Sequence, residues 1–308
     1  RRAGMGMKRS SVTGHASMSQ RKHLRMKAYP LSLTAVLGAA LMAFALIAAP
    51  AFAQDDDEAA EPPGWNGIKK EFYDGRDIDE ASTKIVVEAP DKADDAAVVP
   101  VTVYINADVA DNIKTLRIFI DNNPMPLVGA FTFGRAAGIG PKTISTRVRF
   151  DSFSYIRAVV ETEDGKVHMG SHFVQAAGGC SSSALKDVTT AAAHAGQMQI
   201  KKISGGPRFA SQKNQSMVTA EAQVMLRHPN FSGMQMDPVT GQYIPAKYVR
   251  ELDVKRGDEV VFHMEAGISL STNPNIRFTY GSIDNDILNA TASDSDGATF
   301  SATSANNS

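Results

Sequence analysis

The chain has 308 residues, 43% of them hydrophobic, a formal net charge of −1 and a single cysteine. The first 53 residues hold eight of the 32 basic residues and none of the 33 acidic ones, so the remainder carries 24 basic against 33 acidic residues, a net charge of −9. Nucleic-acid binding depends on cationic contacts with phosphate, so this balance argues against that class of function. One cysteine also excludes an internal disulfide.

The N-terminal segment has the pattern of an export signal. Four basic residues precede its apolar part: Arg21, Lys22, Arg25 and Lys27. Residues 31–49 form the apolar run, and Ala51-Phe52-Ala53 fits the small-x-small cleavage pattern. We therefore predict that residues 1–53 are a signal peptide with an upstream extension, and that the protein is periplasmic. The run is slightly long, which leaves an uncleaved anchor as an alternative, and residues 19–25 resemble a twin-arginine signal only faintly.

The mature chain begins with a short polar segment and a helix. Residues 54–63 are acidic and end in proline, so we expect a disordered leader. Trp65, Ile68 and Phe72 then fall at i, i+3 and i+7, which is the spacing of one helical face. The sequence therefore predicts a short helix directly after the leader.

Alternating apolar and polar residues follow along several short segments up to residue 174, a pattern typical of strands with one buried face. Turn sequences separate them, notably at residues 121–124 and in Glu163-Asp164-Gly165-Lys166, which predicts a hairpin. The residues predicted to face the core are Val99, Val101, Val103, Ile105, Val148 and Phe150.

The same pattern recurs in the second half of the chain. Turn sequences at residues 256–258 and 294–297 separate alternating segments, and the last of them repeats the strand–Asp-Gly–strand ending of the first half. The residues predicted to face the core here are Val218, Ala220, Ala222, Val224, Leu226 and Phe278. Two antiparallel sandwiches are the simplest interpretation.

Between the two halves lies the single cysteine, Cys180, after Gly178 and Gly179 and before three serines. Small flexible neighbours favour a solvent-exposed thiol on a mobile arm, which extends about 20 Å beyond residue 174. A modest helix over residues 184–195 would lower the pKa of Cys180, which lies on its N-terminal side. The alternative is a bystander cysteine in a loop.

The residues of both halves resemble a known family. The second half contains a run from Leu226 to Met234 around Arg-His-Pro, then Ile244-Pro245-Ala246, Gly267-Ile268-Ser269 and an Asn-Pro sequence at residues 273–274. This order is similar to SoxZ. The first half is similar to SoxY in Trp65 on a short helix, Val99-Pro100-Val101, the sequence of residues 119–126 and the closing Gly178-Gly179-Cys180. Fusion of the two resembles the SoxYZ-like carriers associated with quinoprotein dehydrogenases.

The resemblance implies a role for the cysteine. SoxY proteins hold sulfur intermediates covalently on the cysteine of a Gly-Gly-Cys-Gly-Gly tail, which implies that Cys180 is the covalent carrier and that Gly178 and Gly179 give the arm its flexibility. In this chain Ser181 and Ser182 replace the trailing glycines, and the chain continues. The resemblance implies no enzyme activity, no catalytic residue and no cofactor apart from a sulfur adduct. The partners it implies are c-type cytochromes or a quinoprotein dehydrogenase.

Three histidines are candidate ligands or polar core residues. His168 and His172 are four apart and would share one face of a strand, but no third ligand is near in sequence, so we expect surface residues and no metal site. His228 is expected to make a hydrogen bond in a turn or between the domains.

The predicted organisation is all-β, with two immunoglobulin-like antiparallel β-sandwiches packed on each other, a short N-terminal helix and a partly helical linker. The boundaries are residues 1–53 for the signal, 54–63 for the leader, 64–175 for the SoxY-like sandwich, 176–216 for the cysteine segment and linker, 217–303 for the SoxZ-like sandwich and 304–308 for the tail. The expected function is a periplasmic covalent sulfur carrier. The alternative is a scaffold module for a quinoprotein dehydrogenase or c-type cytochrome, and pairing within one chain is preferred over a swapped dimer.

Overall fold

The structure is a computed structural model, and it describes residues 64–182, 195–203 and 218–305. All of these belong to one unit, Glu58–Ser308. The predicted signal, the leader and nearly all of the predicted helix over residues 184–195 lie outside the described residues. Within the part that is described, no helix has the length and apolar character needed to span a membrane.

The first half contains two helices, a 3-10 turn and seven strands. They are α1 (Gly64–Tyr73), β1 (Ile85–Glu88), β2 (Val99–Ile105), α2 (Ala107–Ala110), β3 (Ile113–Ile120), β4 (Leu127–Phe133), the 3-10 turn (Arg135–Ala137), β5 (Lys142–Val148), β6 (Ser154–Thr162) and β7 (Val167–Val174). The helix predicted from Trp65, Ile68 and Phe72 is thus confirmed as α1. The turn of residues 163–166 joins β6 to β7, and Gly165 adopts the positive φ of +82° that the hairpin requires.

The described residues of the second half also form seven strands. They are β8 (Met198–Ile203), β9 (Val218–Leu226), β10 (Val249–Arg256), β11 (Glu259–Ala266), β12 (Asn275–Ser282), β13 (Leu288–Asp294) and β14 (Thr299–Thr303). The predicted turns at residues 256–258 and 294–297 join β10 to β11 and β13 to β14. The all-β prediction is therefore confirmed, with strands in both halves and few helical residues.

The strands form two antiparallel sheets, and each half contributes to both. The six-stranded sheet has the order β1-β2-β5-β12-β9-β8, and the eight-stranded sheet has the order β14-β13-β10-β11-β4-β3-β6-β7. In each half the first, second and fifth strands enter the smaller sheet, and the other four enter the larger one. Both halves thus have the same two-sheet arrangement, and equivalent strands meet at the centre.

The two halves join edge to edge, along a seam that we define as the pairings β4–β11 and β5–β12. Strand β4 pairs with β11 over five residue pairs, from Gly129 with Ala266 to Phe133 with Phe262. Strand β5 pairs with β12 at Ser145 and Ile144. The prediction of two sandwiches packed on each other did not anticipate this continuity. Its physical reason is that an open strand edge carries unpaired N–H and C=O groups, which the equivalent strand of the other half satisfies.

One apolar core runs between the sheets and across the seam. The predicted inward faces of β2 and β5 are fully buried, as are Ala222, Val224, Leu226 and Phe278 in the second half. Phe131 of β4 contacts Phe262 of β11 edge to face, with ring centroids 5.6 Å apart, and Phe262 contacts Phe278 at 5.0 Å. Aromatic pairs of this geometry add to the hydrophobic stabilisation, so the seam is part of the core.

The alternation of β9 is less complete than the period of two predicts. Ala220 is only partly buried, and the side chain of Val218 is outside the description, whereas Thr219 and Glu221 on the other face are buried. The Thr219 hydroxyl lies 3.4 Å from the carbonyl of Ile139, and Glu221 forms an ion pair with Arg277. The first half therefore covers part of the face that the sequence assigned to solvent.

Candidate functional site

Cys180 lies in a hydrogen-bonded turn of residues 178–182, which we call the cysteine turn. Strand β7 ends at Val174, and the chain then runs alongside residues 150–151, which follow β5. The Gly178 N–H donates to the Asp151 carbonyl at 2.8 Å, and the Gly179 N–H donates to the Phe150 carbonyl at 2.7 Å. The Ser182 N–H donates back to the Gly178 carbonyl at 2.9 Å and closes the turn. The segment is therefore docked on the first half.

The two glycines have specific steric roles in this docked turn. Gly178 adopts a φ of +78°, which a residue with a side chain rarely adopts. A Cβ atom on Gly179 would lie 2.1 Å from the carbonyl oxygen of Ala96 and 2.8 Å from that of Phe150. Glycine at position 179 thus permits close approach of two backbone segments. The contribution of Gly178 and Gly179 to the flexibility of the arm stays a prediction.

The sequence predicts a solvent-exposed thiol, but the thiol is buried in the structure. Cys180 has 0% relative exposure. Its carbonyl oxygen lies 2.5 Å from the Ser232 Oγ of the second half, and Ser232 is itself buried. The expectation of a solvent-exposed thiol is therefore wrong for this conformation. The reason is that small neighbours permit close packing as readily as mobility, and the second half supplies a surface 52 residues away in sequence.

The surroundings keep the thiol protonated. Burial raises the pKa of Cys180 to about 12, the Asp151 carboxylate raises it further, and the Arg149 guanidinium opposes both. The helix expected to lower this pKa lies outside the described residues. Since the thiolate is the reactive form, Cys180 in the docked turn is a poor nucleophile near neutral pH.

Arg149 is the largest fully buried side chain in the described part of the chain, with 0% exposure. It follows β5 in the first half, but its side chain reaches the second. Nε donates to the Leu270 carbonyl at 3.2 Å, and Nη2 donates to the Asn230 carbonyl at 2.9 Å and to Thr272 Oγ1 at 2.8 Å. Within residues 64–182, 195–203 and 218–305, its Nη1 has no hydrogen-bond partner. Burial lowers the pKa of Arg149, whereas Cys180 and Asp95 raise it.

The segment of residues 228–232 forms the second-half wall of this site. The His228 Nδ1 accepts the Asn230 N–H at 3.0 Å, so Nε2 carries the proton towards Asp294 Oδ2, 3.3 Å away. Asn230, at a φ of 49°, donates from Nδ2 to the Leu270 carbonyl at 2.7 Å. His228 therefore makes a turn hydrogen bond within the second half, one of its two predicted roles, and holds the wall that Arg149 and Cys180 contact.

The other two histidines considered in the sequence analysis, His168 and His172, lie on β7. His168 is buried, with Nδ1 3.2 Å from Asp79 Oδ2, so the expectation of a surface residue is wrong for it. The chain before β1 covers this part of β7, since the backbone of Asp79 bonds to Val167 and Met169 on either side of His168. His172 is partly exposed. No group of three or more potential ligands suited to a metal ion occurs among the residues the structure describes.

Arg149 and Ser232 are site residues that the sequence pattern does not reveal. Arg149 alternates with Val148 and Phe150, so the period of two assigns its side chain to solvent. Ser232 lies in a loop between strands, and only its position in the Asn230-Phe231-Ser232 run of the second half marked it. Neither residue carries a sequence signal for contact with a cysteine in the linker.

Two protein-family models match the chain. The model described as "Sulfur oxidation protein SoxY" matches residues 69–180, and the model described as "Sulphur oxidation protein SoxZ" matches residues 208–305. Both occur in one chain, in this order, and together cover more than half of it. The chain belongs to the SoxYZ family of sulfur-oxidation carriers. The SoxY match ends on Cys180, so the only thiol of this SoxYZ protein closes its SoxY domain.

One solved structure similar to the chain is that of the sulfur carrier protein SoxY from Chlorobium limicola f thiosulfatophilum. It shares 26% sequence identity with this SoxYZ protein, and the match covers 35% of this chain and 87% of the other, with a TM-score of 0.29. No curated protein sequence matches the chain significantly.

Proposed function

We propose that this SoxYZ protein is an exported covalent carrier, which holds a sulfur-containing group on Cys180 and presents it to periplasmic redox enzymes. The observation that supports this most is the position of Cys180: it is the only thiol, it follows Gly178-Gly179, and it is the last residue of the SoxY match. The classes of partner we propose are c-type cytochromes and a quinoprotein dehydrogenase.

Loading then requires the cysteine turn to leave its docked position. The docked thiol is buried and protonated, so neither a substrate nor a partner reaches its reactive form. Three hydrogen bonds hold the turn to other described residues, from Gly178 to Asp151, from Gly179 to Phe150 and from Ser232 to Cys180. At a net value of about 1 kcal/mol each, such bonds permit release on a functional timescale.

The chemistry of loading depends on the sulfur donor. With a polysulfide, the Cys180 thiolate attacks one sulfur, a new S–S bond forms, and the shortened polysulfide leaves with the electron pair of the bond that breaks. Coupling of the thiolate to a sulfur anion instead releases two electrons. A c-type cytochrome is the class of partner that accepts them, which is why we propose it.

A second candidate function is a scaffold, in which the two-sheet body binds a dehydrogenase or cytochrome and the cysteine takes no part. The observation that favours it is the buried, protonated state of the thiol. A scaffold has no need of an opening turn, so its thiol would stay inaccessible for as long as the protein is folded.

Intact mass after incubation with polysulfide distinguishes the two. A carrier gains the mass of one or more sulfur atoms, the adduct disappears on treatment with a reductant, and the Cys180→Ser variant gains nothing. In the host, the same variant abolishes oxidation of the carried substrate. A folded wild-type protein that never gains sulfur, together with unchanged oxidation in the Cys180→Ser strain, would support the scaffold.

A further inference from the structure

The Arg149 guanidinium is a buried charge without an opposite charge in contact. No carboxylate among the described residues forms an ion pair with it, and its three side-chain hydrogen bonds go to neutral oxygens, those of Leu270, Asn230 and Thr272. Nη1 is buried and has no hydrogen-bond partner among the residues that the structure describes. Burial of an unpaired charge is among the most unfavourable arrangements in a protein, and each unsatisfied donor adds to the cost.

Contacts in the first half and in the second half bring the Arg149 guanidinium and Cys180 near each other. On the first-half side, Gly179 donates to the carbonyl of Phe150, so the residues next to Cys180 and next to Arg149 are bonded directly. On the second-half side, Arg149 bonds to the Asn230 carbonyl, and the Cys180 carbonyl contacts Ser232, two residues further on. The thiol and the guanidinium are thus both buried near the junction of the halves, close enough for each to shift the pKa of the other.

Two other charges act on this site. Asp151, which is partly exposed, raises the pKa of Cys180, and Asp95, which is exposed, raises that of Arg149. Both carboxylates retain water, so neither neutralises the guanidinium as a direct partner. The Cys180 thiol does not neutralise it either, since with a pKa of about 12 it is uncharged at physiological pH.

A persulfide differs from the thiol in this respect. It is a stronger acid, so its terminal sulfur carries a negative charge at neutral pH, and it adds only one heavy atom to the side chain. Building on the carrier function proposed above, we propose that Arg149 is the counterion of the cargo: when Cys180 carries a persulfide and the turn docks, Nη1 of Arg149 pairs with the anionic terminal sulfur.

A purely structural role accounts for only part of this arrangement. As a clamp between the halves, Arg149 needs Nε and Nη2, which bond to Leu270, Asn230 and Thr272. It does not need a buried Nη1 without a partner, and a clamp of neutral side chains would avoid the cost of the charge. Pairing with an anionic cargo explains both the charge and the free donor.

The wild-type protein alone provides the first test. One sample is loaded as the persulfide with inorganic polysulfide, and a second is converted to the neutral methyl disulfide with methyl methanethiosulfonate, with mass spectrometry confirming each adduct. We expect the persulfide form to melt about 3 °C higher than the methyl disulfide form at pH 8, the shift that about one strengthened ion pair gives in a protein of this size. Equal melting temperatures would overturn the proposal.

Variants assign the effect to Arg149. In Arg149→Met the difference between the two adducts disappears, whereas Arg149→Lys retains part of it. Arg147→Met is the matched control, because Arg147 precedes Arg149 by two residues, donates to the Asn273 carbonyl at 3.0 Å, and is not among the charges that shift the pKa of Cys180. If the Arg149 variants do not fold, the comparison of wild-type adducts still decides.

The outcomes also separate this inference from the carrier function. A protein that accepts the methyl reagent but never gains sulfur from polysulfide contradicts the carrier function, and this inference with it. A protein that loads with polysulfide but shows equal melting temperatures for the two adducts remains a carrier, and only the role of Arg149 is refuted.

Discussion

The Gly179→Ala substitution tests whether the docked turn controls the reactivity of Cys180. The added Cβ would lie 2.1 Å from the Ala96 carbonyl oxygen and 2.4 Å from its carbon, and both are backbone atoms, which shift only at a high cost. The turn therefore cannot dock, while the core between the sheets is untouched. We expect a folded protein with an accessible thiol.

The size of the effect follows from which route the wild-type thiol uses to react. With its pKa raised from 9.0 to about 12, the docked thiol at pH 8 is ionised about 1000-fold less than an ordinary cysteine, and it is also inaccessible. Opening the turn breaks three hydrogen bonds at a cost of about 3 kcal/mol, which corresponds to a factor of about 100. Opening has the smaller penalty, so wild-type Cys180 reacts from the open state.

Gly179→Ala removes the opening penalty, so its reaction with an aromatic disulfide reagent such as DTNB should be about 100-fold faster than in the wild type at pH 8. The control is Gly165→Ala in the β6–β7 hairpin, where the glycine has a φ of +82° and open space around it. It should lower stability by about 1 kcal/mol without changing the thiol rate. An unchanged rate in folded Gly179→Ala would refute the reasoning.

Three further predictions concern the residues around the thiol. Ser232→Ala removes the contact with the Cys180 carbonyl, so the DTNB rate should rise about fivefold to tenfold, and an unchanged rate would show that this contact does not hold the turn. Cys180→Ser should lower the free energy of unfolding by about 1 kcal/mol, because the thiol is buried and the hydroxyl is more polar; urea denaturation measures this, and no loss would indicate an undocked turn in solution. Burial lowers the pKa of His228, so the unfolded state binds more protons, and stability should fall as pH drops through the unfolded pKa of about 6.5. Denaturation of wild type and His228→Asn at pH 7.5 and 5.5 checks this, since the variant should lose less stability on acidification.

The strands and turns followed from the sequence because their signals are local. The alternation in residues 99–105 and the Asp-Gly turns depend on neighbours a few residues apart, and the structure has strands and turns at those positions. The pairing of β4 with β11 did not follow, since an edge strand that meets another strand has the same pattern of residues as one that meets water.

The burial of the Cys180 thiol could not be predicted from the sequence either, for a related reason. A glycine before Cys180 is compatible with both a mobile arm and a close backbone approach, and only the position of Ala96 beside Gly179 distinguishes them. Likewise, the period of two placed Arg149 in water, and the carbonyls that it bonds lie 81 and 121 residues away. Long-range contacts decide both cases: that of Gly179 with Ala96 lies within the first half, and those of Arg149 with Leu270 and Asn230 join the two halves.

The seam has a further consequence for a site built from both halves. Two separate chains joined by β4–β11 and β5–β12 pairing would come apart on dilution, and the wall formed by residues 228–232 would be lost with them. In one polypeptide the same association is unimolecular, with an effective concentration set by the linker rather than by the amount of protein present. The surroundings of Cys180 therefore stay assembled at any protein concentration, even in a dilute cellular compartment.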